Sequence, residues 1–201
     1  MELDGVTFVG PAFDGGSVLL DLLPDNLVGL LRQINGFILF DGGLHVRGVC
    51  SSPNWHSLES VMTGSGALHA NYPALLPSDV PFAQDCVADQ FVLRERVVYK
   101  LESETGRFES LGLSLPEFLG AVQAEPVEFL GMDPLLRYQA EGASLMPGQV
   151  LHVYPPFCTK ESAKGVSLKA VPVNEALTFL ADFSRRVWAL GAGETFRVKV
   201  V

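Results

Sequence analysis

Apolar residues recur along the chain with two periods, and the switches between them mark its elements. In Leu23-Pro24-Asp25-Asn26-Leu27-Val28-Gly29-Leu30-Leu31-Arg32-Gln33-Ile34-Asn35-Gly36, the residues Leu27, Leu30, Leu31 and Ile34 fall at i, i+3, i+4 and i+7. That spacing lines one face of an α-helix with apolar groups. Pro24 suits the first turn, where a missing N–H costs nothing. Asn35-Gly36 suits the end, because both tolerate the left-handed conformation. The pattern predicts a helix over 24–35 that buries the four-residue stripe. A hairpin follows: residues 37–40 and 44–49 read as two short strands that flank Asp41-Gly42-Gly43, a tight-turn sequence. Residues 55–62 read as a short helix ended by Thr63-Gly64-Ser65-Gly66. Residues 71–81 hold Pro73, Pro77 and Pro81 and read as a long irregular connection.

A second set of strands starts near Gln90. Residues 91–94 and 97–101 are rich in β-branched and aromatic side chains, and Glu104-Thr105-Gly106 turns the chain back through 107–111. The expectation is a three-stranded antiparallel meander. Ser114-Leu115-Pro116-Glu117 is a capping box, whose serine and glutamate satisfy two N–H groups at a helix start. Leu115, Phe118, Leu119 and Val122 are the inward stripe of that helix. After Pro126 the pattern weakens. Residues 149–154 read as a strand stopped by Pro155-Pro156, and 166–171 as another. Residues 174–190 read as an amphipathic helix with Ala176, Leu180, Phe183 and Val187 in phase, and 196–201 alternate as a final strand.

Composition narrows the class. Of 201 residues, 48% are apolar and 18% charged, so the chain buries a core without staples. It reads as one large domain, or as a domain with a C-terminal elaboration. No apolar run reaches the roughly 20 residues that cross a bilayer. The start, Met1-Glu2-Leu3-Asp4, lacks the basic and apolar regions of a signal peptide, so the cytoplasm is the expected compartment. Cys50, Cys86 and Cys158 are odd in number and far apart. The expectation is three reduced, mostly buried thiols, with no disulfide and no thiolate metal site.

The net charge of −9 is uneven. Residues 1–93 hold ten acids against Arg32 and Arg47, whereas 94–201 hold thirteen acids and twelve bases. Such a first half repels nucleic acid and attracts a basic partner, although plain solubility explains it equally well. Asp25, Asp41, Asp79, Asp85 and Asp89 are the expected binding residues, provided that they share one exposed face.

Catalytic templates fail on their spacing. Gly64-Ser65-Gly66 is not a G-x-S-x-G elbow, and neither the P-loop nor the G-x-G-x-x-G pattern occurs. His45, His56, His69 and His152 form no H-E-x-x-H and no pair at helical spacing. Asp85 and Asp89 are the most suggestive carboxylates for acid–base work, and a turn or cap role before a strand competes with that reading. Tyr154-Pro155-Pro156-Phe157 reads either as a ligand patch or as packing at a strand end. No catalytic residue, cofactor or metal ligand is expected.

The order of these pieces resembles the SUKH superfamily, which includes a yeast cell-wall-synthesis regulator and many bacterial toxin-immunity proteins. The family pattern is a helix entered by Leu-Pro and closed by Asn-Gly, matched by Leu23-Pro24 and Asn35-Gly36. Then come a hairpin and a Pro-Phe-Ala segment leading through an acidic loop into strands, matched by Pro81-Phe82-Ala83 and by residues 85–101. A Ser-x-x-Glu-Phe-Leu helix completes it, matched by Ser114, Glu117, Phe118 and Leu119. The match spans residues 19–123. The chain departs from the pattern in a shorter segment before Leu23, in Ala88 where relatives have glycine, and in the segment after residue 125. The resemblance implies an α+β fold with a largely antiparallel central sheet flanked by helices. Residues 1–125 would form the family core, and 126–201 a C-terminal α/β elaboration packed on it. It further implies a non-enzymatic, protein-binding role, foremost as an immunity protein that neutralises a basic toxin. A regulatory or scaffolding module and an unrecognised hydrolase remain the alternatives.

Overall fold

The computed structural model describes residues 3–13 and 18–190. Seven strands form one antiparallel sheet in the order of the chain: β1 (Val6–Val9), β2 (Phe37–Leu39), β3 (Leu44–Val46), β4 (Val80–Asp85), β5 (Gln90–Arg94), β6 (Val97–Leu101) and β7 (Phe108–Leu113). Helix α1 (Asp25–Gln33) lies between β1 and β2, and α2 (Glu59–Met62) and α3 (Leu68–Asn71) lie between β3 and β4. After β7 come α4 (Leu115–Ala124), α5 (Pro126–Leu130) and α6 (Asp133–Ala140). Strands β8 (Gln149–Tyr154) and β9 (Ser167–Pro172) pair as a separate antiparallel sheet, and α7 (Val173–Trp188) follows them. This is an α+β fold built on a largely antiparallel sheet, as the sequence predicts.

Helix α1 buries Leu27, Leu30 and Leu31. Ile34 is its C-cap, with extended backbone (φ −145°), and is only half-buried, so the apolar stripe has three fully buried members rather than four. Asn35 is not a left-handed cap. It is buried, accepts the Val49 N–H at 2.7 Å, and donates to the Val49 and Pro11 carbonyls at 2.9 and 3.0 Å. Gly36 takes the positive φ (77°), and a Cβ there would stand 2.6 Å from Gly48 N and from the His56 ring. Only glycine fits both the conformation and the space.

The predicted hairpin is β2–β3, with Phe37 opposite Val46 and Leu39 opposite Leu44. The predicted helix over 55–62 is broken instead into a 3-10 turn (Asn54–His56) and α2. Part of the irregular connection is ordered: α3 overlaps its start and β4 its end. Strand β4 was not anticipated, because it contains Pro81 and all six of its residues are buried, which erases any alternation. Proline is accommodated there because the β4–β5 register shifts between Val80 and Ala83, the kind of bulge at which no ladder N–H is needed.

The three-stranded meander is β5–β7, and Gly106 turns its second connection at φ 71°. In α4 the Ser114 N–H donates to Glu117 Oε2 at 2.8 Å, and Leu115, Phe118, Leu119 and Val122 are buried. The Phe118 ring packs on Phe82 and Phe91, with centroids 5.5 and 4.8 Å away. One apolar cluster runs from Leu19 to Ala181 and takes in Leu130, Leu135, Leu145 and Leu151, so part of the segment after residue 125 shares the core. The Leu151 N–H also donates to the Cys86 carbonyl at 2.7 Å. A second cluster joins Ala88 to Val150, Val173, Ala176 and Leu180. The strand expected over 196–201 lies outside the described residues. Of the three free thiols, Cys86 is buried, Cys50 half-buried and Cys158 exposed, so "mostly buried" fails at Cys158. Among the described residues no helix is long and apolar enough to cross a membrane.

Candidate functional site

The meander brings first-half acids beside second-half cations. Asp79 is buried and grips Arg94 with both oxygens, Nε at 2.9 Å and Nη2 at 2.7 Å. It also accepts the Leu76 N–H at 2.7 Å, so it ties the chain before β4 to β5. Asp85 is buried at the end of β4. Its Oδ1 accepts the Val87 and Asp89 N–H groups, each at 3.0 Å, and its Oδ2 meets Lys100 Nζ at 3.1 Å. Asp89 is half-buried; it meets the same ammonium at 3.2 Å and accepts the Ser103 N–H at 2.8 Å. Burial, with the Asp89 charge, raises the Asp85 pKa to about 7 against the pull of Lys100. Burial also raises Asp89. The Lys100 ammonium is itself desolvated, yet the two carboxylates drive its pKa upward.

Of the five aspartates expected to bind a partner, Asp25 and Asp41 are exposed, whereas Asp79 and Asp85 are buried and Asp89 is half-buried. They do not form one exposed acidic face. The reason is local: Asp79, Asp85 and Asp89 hold turns at strand ends and find their cations on β5 and β6. Asp25 stands in the first turn of α1 and Asp41 in the β2–β3 turn, at φ 54°.

A buried polar layer lies on one side of the sheet. Strand register sets Ile38, His45, Gln84 and Gln90 in directly opposed positions on β2 to β5. Arg47, two residues beyond His45 and 1% exposed, donates to the Pro81 carbonyl at 2.7 Å and to the side-chain oxygens of Gln84 and Gln90 at 2.5 and 2.7 Å. Three neutral oxygens solvate it in place of a carboxylate. Burial lowers its pKa to about 9, which leaves it charged at neutral pH. His45 Nε2 lies 2.8 Å from His56 Nδ1, and His56 Nε2 lies 3.0 Å from the Asn35 carbonyl. Trp55 packs over His45 with centroids 5.3 Å apart.

Two concavities bear on function. The larger is an open groove of about 760 Å³ beside the start of α1, lined among others by Asp21, Leu22, Asp25, Leu76, Glu95 and Arg96. Leu22 is 67% and Leu76 50% exposed. Glu95 opens the two-residue β5–β6 turn at φ 59°, a strained conformation for a non-glycine residue. Arg94 also lines the groove, but its charge is spent on Asp79. The smaller is a cavity of about 130 Å³ between β2–β4 and the chain entering β8, bounded by Asp41, His45, Gln84 and Asp85. It gathers a histidine and a carboxylate, yet no hydrogen bond joins them and both Asp85 oxygens are occupied. Among the described residues no group of three or more His, Cys, Asp or Glu is placed to hold a metal ion.

Of the groove residues, sequence reasoning singled out only Asp25; Leu22, Leu76, Glu95 and Arg96 come together through turns that carry no period. The polar layer did leave a signal in Leu44-His45-Val46-Arg47, where polar residues take every second position of an apolar strand. No family model matches the chain, and no curated protein matches it. Among solved structures it is similar to the crystal structure of Atu4351 from Agrobacterium tumefaciens, with a TM-score of 0.52 and 12% identity over 88% of this chain and 85% of that one. At that identity the likeness is one of fold alone.

Proposed function

We propose that this chain is a non-enzymatic, cytoplasmic protein-binding module of the immunity type, which neutralises a basic protein toxin by engaging it through the groove beside α1. The observation that supports this most is the pairing of exposed leucines with an acidic rim. Leu22 and Leu76 offer apolar surface in a concave setting, the kind of anchor that binding interfaces desolvate at their centre. Around them stand Asp21, Asp25 and Glu95 against Arg96 as the one rim cation not engaged in an ion pair among the described residues. A partner with an apolar anchor inside a basic surround complements that surface. The resemblance to the SUKH superfamily points the same way.

The test is a double variant, Leu22→Glu with Leu76→Glu. Both positions are exposed, so the unfolding midpoint should stay where it is. The partner that co-purifies from the native cell should be basic, its toxicity should be blocked by the wild-type protein, and the double variant should bind it at least about thirtyfold more weakly, since two central apolar anchors at more than about 1 kcal/mol each remove more than about 2 kcal/mol. A partner whose own activity is unaffected by binding would favour a regulatory role. Full-strength binding by the double variant would exclude the groove.

A further inference from the structure

His45 and Gln84 each keep one hydrogen-bonding atom unused, and the bonds around them settle what kind it is. His56 Nε2 faces the Asn35 carbonyl oxygen, which only accepts, so His56 carries its proton on Nε2 and its Nδ1 is bare. His45 Nε2 faces that bare nitrogen. His45 is therefore protonated on Nε2 and presents Nδ1 as an acceptor. Gln84 is oriented in the same way. Arg47 Nη2 can only donate, so the Gln84 oxygen faces it, and the amide nitrogen turns away as a donor.

Neither His45 Nδ1 nor Gln84 Nε2 has a partner among the described residues, although both side chains are more than nine-tenths buried. No sealed side-chain nitrogen or oxygen there lacks a partner, so both atoms reach open space. The space that both residues line is the 130 Å³ cavity. His45 and Gln84 are directly opposed across β3 and β4, which sets their Cβ atoms about 4.5–5.5 Å apart. An acceptor and a donor thus stand side by side in a cavity whose other walls include Ile38, Leu145 and Val150. Burial, followed by the neighbouring Arg47 charge, keeps the His45 imidazole well below the usual histidine range, and so keeps it an acceptor at neutral pH.

We infer that this cavity is a binding site for a small neutral amide or lactam, whose N–H donates to His45 Nδ1 while its C=O accepts from Gln84 Nε2. Its volume is several times the roughly 30 Å³ share of one liquid water, which suits a five- or six-membered ring. A carboxylate has no proton to give His45, and an ammonium has no acceptor for Gln84. The site shares no lining residue with the groove and does not depend on it.

The intact protein is titrated with δ-valerolactam and, separately, with N-methyl-δ-valerolactam, which keeps the ring and loses the donor. Heat of binding and the ¹⁵N resonances of His45 are followed. The lactam should bind saturably and shift Nδ1 selectively, and the N-methyl compound should bind at least tenfold more weakly. Gln84→Glu retains an oxygen towards Arg47 and exchanges the donor for an acceptor, so the variant should fold and lose at least tenfold in lactam affinity. No saturable binding at millimolar lactam, equal binding of the two compounds, or undiminished binding by a folded Gln84→Glu variant would overturn the assignment.

Discussion

At Asp85 one side-chain oxygen holds two backbone N–H groups and the other holds Lys100, so Asp85→Asn separates the turn role from the charge. The amide keeps an acceptor for Val87 and Asp89 and removes a buried carboxylate. The folded-state pKa of Asp85, about 7, lies above the unfolded value near 4. The folded state therefore binds the extra proton between those limits, and stability falls as pH rises from about 4 to about 7. The variant lacks that loss. Its stability relative to wild type should be greater at pH 7 than at pH 4 by at least about 1.4 kcal/mol, the worth of one pKa unit. Urea unfolding at the two pH values measures this, and an equal difference at both would contradict it. The turn role of Asp85 and Asp89 was legible in the sequence as a carboxylate before a strand. Their burial was not, because Lys100, fifteen residues beyond Asp85, reaches them only through the register of β4, β5 and β6. The alternation at Arg47 was legible, but its partners were not, since Gln84 and Gln90 are brought to it by strand pairing.

Elements with a full period were readable, and those without one were not. Helices α1, α4 and α7, the β2–β3 hairpin and the β5–β7 meander follow their patterns closely. Helices α2 and α3 span four residues each, too few for a helical repeat. Helices α5 and α6 had their own start signal in Pro126 and in Asp133-Pro134. Ala88 shows how the segment after residue 125 shares in the core. It holds φ 70°, a conformation that costs a non-glycine residue about 1 kcal/mol, while its methyl is buried against Val150, Val173, Ala176 and Leu180. That apolar contact offsets the strain. The weight of α1 in the core is testable. Leu31 is 1% exposed within the main apolar cluster, so Leu31→Ala should cost about 2–5 kcal/mol through lost transfer energy and a residual cavity. Urea unfolding that gives less than about half a kcal/mol would show that the stripe does not anchor the helix.

Across the whole molecule, the charge asymmetry of the sequence is partly cancelled by folding. Asp79, Asp85 and Asp89 are matched by Arg94 and Lys100 from the second half, while Arg47, one of only two bases in residues 1–93, is buried. Asp4, Asp21, Asp25, Asp41 and Glu59 remain exposed against Arg32 in that half. Asp21 and Asp25 join Glu95 on the rim of one groove, and under the proposed function that rim supplies the field that a basic partner would follow. Steering by such a field weakens as the Debye length contracts from about 10 Å at 0.1 M salt to about 3 Å at 1 M. The direct measurement is the association rate of the captured partner at those two salt concentrations, for wild type and for Asp21→Asn with Asp25→Asn. The account predicts a basic partner whose on-rate to wild type falls at least about tenfold with salt, and a variant that is slower at 0.1 M and nearly indifferent to salt. A neutral or acidic partner, bound equally fast by both proteins at both salt concentrations, would contradict it.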